Sequence, residues 1–513
     1  MRYSELFLLF FLISFNGIAQ PVEFPLFNPI SSQAQKSVAK NNYNTHVSYG
    51  PLYLDQIENA SNIIGFMPDS SKHYYWFTQK LFKENLIILD KPDIYFTIDP
   101  IFNFSGGIDV SDTLNNTMYQ NTRGIMVKGY FGKKVSFYTS FIENQSRFPD
   151  YVTTFINNNE VVPGSGRVKP LGNSAYDYSM ATAYIAWNVT DFMRVKLGTD
   201  KDFLGLGYRS ILLSDNSFNY PHLKIDLWFA KRKLKYTLNY ALLQDLVRLP
   251  KGETPESLFE RKTGIFHYLS YKPIPKIEIG VFNGVVMPFN ATGESTGYYI
   301  NYFMPIIFWN TMVNGSEKSF VQKAGFNFSW FISKRLNAYF EADVGINNQP
   351  NGVLAGIRMW DVFARNLNFT FEYSNVGAGD FEADTIRTFN HYNQSLAHPL
   401  GSGFSEVFFQ SDYSLKHFIF VLKYTYSNRN INDALYWGFI DDSIADPFFG
   451  GDKTKTDLHS INFETQHLLN QKTNMNLAVG YTGRVGDESN IFGKTNYFYI
   501  AFRTSLRNVY NDF

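Results

Sequence analysis

The sequence predicts an all-β fold, a transmembrane antiparallel β-barrel of about 18 strands. Segments of strand length alternate apolar and polar residues, as in 336–343, where leucine, alanine and phenylalanine take turns with asparagine, tyrosine, glutamate and aspartate. A period of two places one set on each face of a strand, so one face can meet lipid and the other a polar lumen. After the N-terminus no stretch approaches 18 consecutive apolar residues, as a transmembrane helix would require.

The connections between these segments alternate between short and mostly long, which is the arrangement that bacterial barrels adopt between periplasm and exterior. The predicted strands span 94–104, 122–131, 135–143, 178–187, 193–199, 222–230, 234–243, 263–271, 277–285, 321–331, 335–345, 353–361, 367–374, 405–413, 417–427, 457–467, 473–482 and 496–506. The long loops are 144–177, 200–221, 286–320, 375–404 and 428–456. We expect the short turns in the periplasm and the long loops outside.

Two features near the strand ends support this arrangement. Four tryptophans, Trp187, Trp228, Trp330 and Trp360, lie within a few residues of short turns, where an aromatic girdle is expected. The chain ends in Phe513, which is typical of a closing strand that the barrel-assembly machinery recognises.

The composition fits a barrel wall and excludes several other classes. Aromatic residues make up 18% of the chain and charged residues another 18%. The formal net charge is zero, so no nucleic-acid partner is indicated. Because the chain has no cysteine, disulfides, thiolate metal sites and cysteine catalysis are excluded.

The chain divides into three parts. Residues 1–19 have an early arginine, an apolar run and a small-residue cleavage site, which predict a signal peptide and export to the outer membrane. Residues 20–92 lack clean alternation and are interpreted as an N-terminal periplasmic or plug segment, with helical spacing in 74–85. A pair of irregular strands is the alternative there. Residues 93–513 form the predicted barrel.

Motifs for catalysis or metal binding are weak. The pattern Gly-Glu-Ser-Thr-Gly at 293–297 matches a hydrolase nucleophile elbow but lacks the following helix, so a surface loop is preferred. His391 and His398 could bind a metal, but without a third ligand a packed, hydrogen-bonded loop is the better interpretation. We therefore predict no catalytic residues, no metal and no cofactor.

The loop 428–456 is the best candidate for binding sugar. Tyr436 and Trp437 offer flat rings for sugar C–H groups, and Asp441 and Asp442 offer carboxylates for hydroxyl groups. A solvated acidic loop with a hydrophobic anchor is the alternative.

The predicted lumen face carries charges of both signs. They include Lys235, Glu341, Asp343, Glu372, Lys423 and Glu464. Opposite charges in a lumen usually pair across strands, which tends to plug a pore rather than tune it.

Residues 194–243 resemble the Wzi family of capsule-assembly proteins. The segment Gly205-Leu206-Gly207, the run 212–216 (Leu-Leu-Ser-Asp-Asn) and the following Tyr220-Pro221 carry the likeness. Further segments at 27–30, 301–305, 391–401 and 503–513 are similar to the gliding-motility-associated RemB-type branch of Bacteroidota. The resemblance implies an 18-stranded barrel with an N-terminal periplasmic element and a role at the cell surface.

The resemblance also implies positions near an extracellular loop that folds toward the lumen. They are Asp200, Tyr208, Arg209, Asp215 and Asn216. These side chains would either touch glycan or brace the loop.

The sequence therefore favours a non-enzymatic outer-membrane barrel that engages capsular or exopolysaccharide and supports glycan attachment, adhesion or gliding. The expected partners are outer-membrane lipid, surface polysaccharide and, in addition, other outer-membrane or periplasmic proteins. A scaffold in a secretion or gliding complex and a diffusion porin or transporter are the alternatives, and a membrane-embedded hydrolase is the weakest.

Overall fold

A computed structural model gives the fold of most of the chain. It describes residues 22–26, 28–41, 45–57, 75–112, 117–172, 174–248, 259–288, 303–314, 321–346, 351–377, 388–430, 455–486, 494–504, 508 and 510–513. The predicted signal peptide lies outside these residues. No helix among them is both long and apolar enough to span a membrane.

Eighteen antiparallel strands close into a barrel, as the alternation predicts. They are β1 (Ile94–Asp109), β2 (Thr117–Phe131), β3 (Val135–Arg147), β4 (Ala175–Thr190), β5 (Met193–Asp200), β6 (Tyr220–Phe229), β7 (Leu234–Arg248), β8 (Phe259–Ile274), β9 (Ile277–Pro288), β10 (Val321–Ser333), β11 (Leu336–Ile346), β12 (Gly352–Met359), β13 (Leu367–Val376), β14 (Phe404–Leu415), β15 (Phe418–Asn430), β16 (Lys455–Asn470), β17 (Met475–Gly486) and β18 (Thr495–Arg503). Each predicted strand matches one of them, with boundaries that differ by a few residues.

The predicted faces of the wall are confirmed. On β11, Asn337, Tyr339 and Glu341 are buried in the interior, whereas on β13 Phe371 and Tyr373 are about half exposed on the outside. The outward apolar side chains form the surface that lipid requires.

Helices and short strands complete the described fold. The helices are α1 (Asn28–Asn41), α2 (Trp76–Phe82), α3 (Asp150–Asn159) and α4 (Trp309–Asn314), with a 3-10 turn at Leu54–Gln56. The short strands are Tyr49–Gly50, Ile87–Lys91, Lys169–Leu171, Phe203–Leu204, Asn390–His391 and Gln394–Ser395. Helix α2 confirms the helical interpretation of 74–85 over irregular strands.

The barrel closes on β1, which has two partners along one side. Strand β18 pairs with its second half, from Asn103 to Asp109. The short strand Ile87–Lys91 pairs with its first five residues, Ile94–Ile98. The N-terminal segment therefore contributes to the wall itself.

Part of the connection between β9 and β10, residues 303–314, packs against the outside of the wall. Tyr236 and Tyr240 on β7 donate their hydroxyls to backbone carbonyls of this segment, at 3.1 and 2.5 Å. The outward-facing His267 and Asn283 are buried beneath it, and Asn283 donates to a threonine hydroxyl of α4 at 3.3 Å. This cover explains how polar side chains occur at wall positions that would otherwise face lipid.

The prediction of an aromatic girdle of four tryptophans was correct for only two of them. Trp187 and Trp330 are exposed on the outside, at 49% and 43%. Trp228 and Trp360 are instead buried inside the barrel, where the indole nitrogen of Trp360 donates to Ser32 at 3.0 Å. Proximity to a turn does not determine which face a side chain occupies.

The terminal Phe513 lies apart from the closing strand, and its recognition by the barrel-assembly machinery stays a prediction. Strand β18 ends at Arg503, and residues 510–513 turn into the lumen. The Phe513 ring packs against Tyr151 and Phe155 of α3, with ring centroids 6.0 and 5.0 Å away. Burial against these rings holds Phe513 away from the end of the wall strand.

Candidate functional site

The described N-terminal residues 22–26, 28–41 and 45–57 occupy one side of the lumen. Glu23 pairs with Lys196 on β5 at 2.9 Å, and Asp55 pairs with Arg194 on the same strand. Further along, the amide of Val47 donates to Glu278 on β9 at 2.9 Å. These buried contacts fix the segment against the wall.

The loop 201–219 crosses the lumen beside this segment. The amide of Ile211 donates to Glu341 at 3.1 Å, and the amide of Tyr208 donates to Glu372 at 2.5 Å. Gly205 has a φ of +129°, and a Cβ there would lie 2.0 Å from the Glu341 carboxylate, so glycine is needed for this approach.

These contacts correct part of the predicted charge pairing in the lumen. Among the described residues, no cation forms an ion pair with Glu341 or Glu372. Buried loop amides, which require acceptors, donate to both carboxylates instead. Cross-strand pairing does occur elsewhere, as between Lys235 and Asp226 at 3.0 Å.

The loop residues 388–403 are packed inside the barrel. For His391 and His398, the sequence favours such a packed, hydrogen-bonded loop over a metal site. His391 accepts a hydrogen bond from the amide of Gln244 at 2.9 Å, and His398 lies 3.3 Å from Glu406. Burial lowers the pKa of His391 to about 3 and that of His398 to about 4. Among the described residues no three His, Asp or Glu side chains are arranged to hold a metal ion.

The opposite side of the lumen contains a chamber of about 320 Å³. It lies against β1–β4 and β14–β18, and its volume is within the usual range for small-ligand sites. Amide side chains line it at Asn103, Gln120, Gln410, Asn462 and Gln466. Each amide offers both donors and an acceptor, which suits ligands rich in hydroxyl groups.

A pair of tyrosines forms an aromatic wall of this chamber. Tyr497 and Tyr499 on β18 stack with ring centroids 5.2 Å apart and planes at 24°. The Tyr499 hydroxyl donates to Glu464 at 2.6 Å, which orients its ring. A Cβ at Gly480 would lie 2.2 Å from this ring, so glycine on β17 makes room for it.

Helix α3 and the C-terminal residues border the chamber. The Asp512 carboxylate forms an ion pair with Arg209 at 2.8 Å, and the Arg484 guanidinium donates to the carbonyl of Phe513. Burial alone would raise the pKa of Asp512, but the charges of Arg209 and Lys423 hold it below its ordinary value. The tail is thus anchored by charge as well as by ring packing.

The predicted residues of the 200–221 loop are buried and bonded to protein groups. Arg209 pairs with Glu406 at 2.5 Å, Asp215 accepts from the Tyr510 hydroxyl at 2.7 Å, and Asn216 donates to a backbone carbonyl at 3.3 Å. These three contacts brace the loop. Tyr208 lines the chamber, and its ring stacks on that of Phe408 with centroids 4.2 Å apart.

The other predicted sugar-binding residues, Tyr436, Trp437, Asp441 and Asp442, lie outside the described residues, as does the motif at 293–297. The connection that carries the first four joins β15 and β16, both of which line the chamber.

Sequence reasoning missed the tyrosine pair. The signal was present, because the outward Phe498 and Ile500 place Tyr497 and Tyr499 on the lumen face of the last strand. The sequence did not reveal that the described parts of the loops leave this part of the lumen face uncovered.

Comparison with known proteins shows a fold and no more. Neither protein-family models nor curated protein sequences match this chain. Among solved structures, it is similar to Wzi from Escherichia coli, described as an outer-membrane protein of group 1 capsule assembly and a carbohydrate-binding β-barrel. The identity is 12%, the TM-score is 0.56, and the match covers 96% of this chain and 100% of that one.

A weaker likeness extends to a second solved structure. OccK7 (OpdD) from Pseudomonas aeruginosa has 10% identity and a TM-score of 0.45, over 81% of this chain and 99% of the other. Taken with the wall described above, the likeness to Wzi shows that this chain has the closed 18-strand fold of an outer-membrane β-barrel.

Proposed function

We propose that this protein is an outer-membrane barrel that retains surface polysaccharide without turning it over, and that the lumen chamber binds part of the glycan. The observation that carries the proposal is the Tyr497–Tyr499 pair, which faces a chamber lined with amides. Sugar rings present C–H faces that pack on aromatic rings and hydroxyl edges that hydrogen-bond to amides.

The kind of glycan and the cellular role in this proposal follow from the sequence resemblance. The glycan is capsular or exopolysaccharide, and its retention supports attachment, adhesion or gliding, as expected for the RemB-type branch. In this proposal, residues 20–92 act as a plug and the long loops face the exterior. The similar Wzi structure is described as carbohydrate-binding, which supports a glycan ligand.

The test is glycan binding by purified protein that carries alanine at both Tyr497 and Tyr499. By analogy with stacking on nucleobases, each ring is worth about 1–3 kcal/mol, so affinity should fall about tenfold or more. The matched control is alanine at Tyr95 and Tyr130, another stacked pair whose centroids are 5.2 Å apart and which does not line the chamber. Equal loss of binding in both variants, or no loss in either, would count against the chamber.

The loop 428–456 is tested separately. Alanine at Tyr436 and Trp437 should weaken retention of polysaccharide on cells and leave barrel assembly intact, because loop tips contribute little to wall stability. Unchanged retention would remove this loop from the proposal while leaving the chamber untouched.

A diffusion porin is the second candidate. The chamber reaches from Asn474, in the turn before β17, to Tyr497, near the opposite end of β18. A path of this length could carry small solutes. Stable single-channel conductance of the purified protein in planar bilayers, with no glycan binding, would favour this function.

A further inference from the structure

The charges that line the chamber are not balanced. Its two carboxylates each have an arginine partner: Glu464 pairs with Arg503, and Asp512 pairs with Arg209. Arg209 is shared with Glu406, and Lys423 also attracts Asp512. Among the described residues, the chamber lining therefore has two carboxylates and three cations, Arg147, Lys423 and Arg503, an excess of one positive charge.

Two cations of the chamber have no such partner. Lys423 on β15 has no carboxylate within 4.0 Å of its nitrogen, and its only hydrogen bond in the described structure joins it to the Tyr208 hydroxyl at 3.1 Å. Arg147 at the end of β3 likewise has no ion pair there, and its buried Nε faces no hydrogen-bond acceptor. Asp512 and Glu464 attract Lys423 only from beyond ion-pair distance, and a cation without direct carboxylate contact keeps part of the cost of losing its hydration shell.

We infer that the chamber selects acidic glycans, sugar chains that bear carboxylate or phosphate groups, and that Lys423 and Arg147 bind those groups. This inference rests on the proposed glycan function and adds the class of ligand. Arginine matches a carboxylate or phosphate with paired donors, and lysine supplies a point charge. The amides of Gln410 and Asn462 line the same chamber, where their nitrogens donate to Asp412 at 3.4 Å and to Thr482 at 2.9 Å.

The experiment compares two ligands that differ only in charge. Purified full-length protein in detergent is titrated with trigalacturonic acid and with its methyl ester, in which the carboxylates are masked, using calorimetry. Because charge pairs in a partly buried site are weakly screened, the acid should bind roughly tenfold or more tightly than the ester. Sodium sulfate alone is the control for an adventitious ion.

Variants then assign the preference to residues. K423Q and R147Q should each reduce the ratio of acid to ester affinity and leave binding of the ester unchanged. K133Q, in the exposed turn between β2 and β3, removes a lysine outside the chamber and should leave the ratio unchanged. Two single variants protect the test against a local folding defect in either one.

The outcomes separate the two levels of argument. Equal affinity for acid and ester, or an unchanged ratio in both chamber variants, would overturn the inference and leave the proposed function standing. Sulfate binding without any binding of sugar would overturn both, since the chamber would then hold an adventitious ion only. If neither the acid nor the ester binds, and neutral oligosaccharides and polysaccharide do not bind either, the proposed function is likewise removed.

Discussion

Replacing Arg209 with methionine should release the loop 201–219 from the wall while the barrel stays folded. The Arg209 side chain is 1% exposed and holds two carboxylates, Glu406 at 2.5 Å and Asp512 at 2.8 Å. Methionine removes the charge at a similar side-chain length, so both carboxylates remain buried and lose the cation that contacts them. Removing one partner of a buried ion pair costs about 3–5 kcal/mol. At about 1.4 kcal/mol per factor of ten, the undocked fraction should rise by roughly a hundredfold or more.

Hydrogen exchange measured by mass spectrometry in detergent micelles checks this expectation. Peptides covering 201–219 and 510–513 should lose protection in R209M, and peptides from the strands of the barrel wall should not. The triple variant R209M/E406Q/D512N removes the stranded charges together with the guanidinium and should regain most of the protection. Unchanged exchange in R209M, or faster exchange in the triple variant than in R209M, would refute the argument from buried charge.

Three further expectations address the wall, its orientation and its response to acid. Phe340→Arg places a charge on the outward face of β11 and should lower the free energy of unfolding in urea by about 2–4 kcal/mol near the bilayer midplane, whereas Phe340→Leu should not. A cysteine at Asn158 should react with an impermeant maleimide on intact cells, and one at Arg232 only after the outer membrane is permeabilised; the reverse would invert the orientation. Because burial lowers the pKa of His398 to about 4 from an ordinary value of about 6.5, docking of 388–403 should be intact above pH 6.5 and weaken as pH falls toward 4. Protease cleavage in this loop should therefore rise over that range, and replacing His391 and His398 with glutamine should abolish the dependence.

The strands of the wall were predictable because each position follows a local rule. Lipid requires an apolar side chain at every second residue, and the hydrogen-bond ladder requires an extended backbone at all of them. Alternation alone identified all 18 strands. It also indicates the correct face for the tryptophans that proximity to a turn had placed wrongly. Trp228 shares its face of β6 with Lys224 and Asp226, so a strict reading of period two places it in the lumen. His267 and Asn283 interrupt the apolar outward pattern, and that interruption marks where 303–314 covers the wall.

The chamber could not be predicted in the same way. Its existence depends on which lumen-facing residues the plug and loops leave uncovered, and that follows from contacts far apart in sequence. Ile211 and Glu341 are 130 residues apart in sequence, and no local sequence pattern predicts their hydrogen bond. The motif at 212–216 did point to the loop that crosses the lumen, although the sequence left open whether its residues bind glycan or brace the loop.

The shared pairing of β1 has a consequence for how the barrel closes. Zippering from β18 can proceed only as far as Asn103, since Arg503 is the last residue of that strand. The first five residues of β1 are paired instead with Ile87–Lys91. A chain lacking its N-terminal segment would therefore lose more than its contacts in the lumen: it would leave five residues of β1 as an open edge, free to pair with another polypeptide.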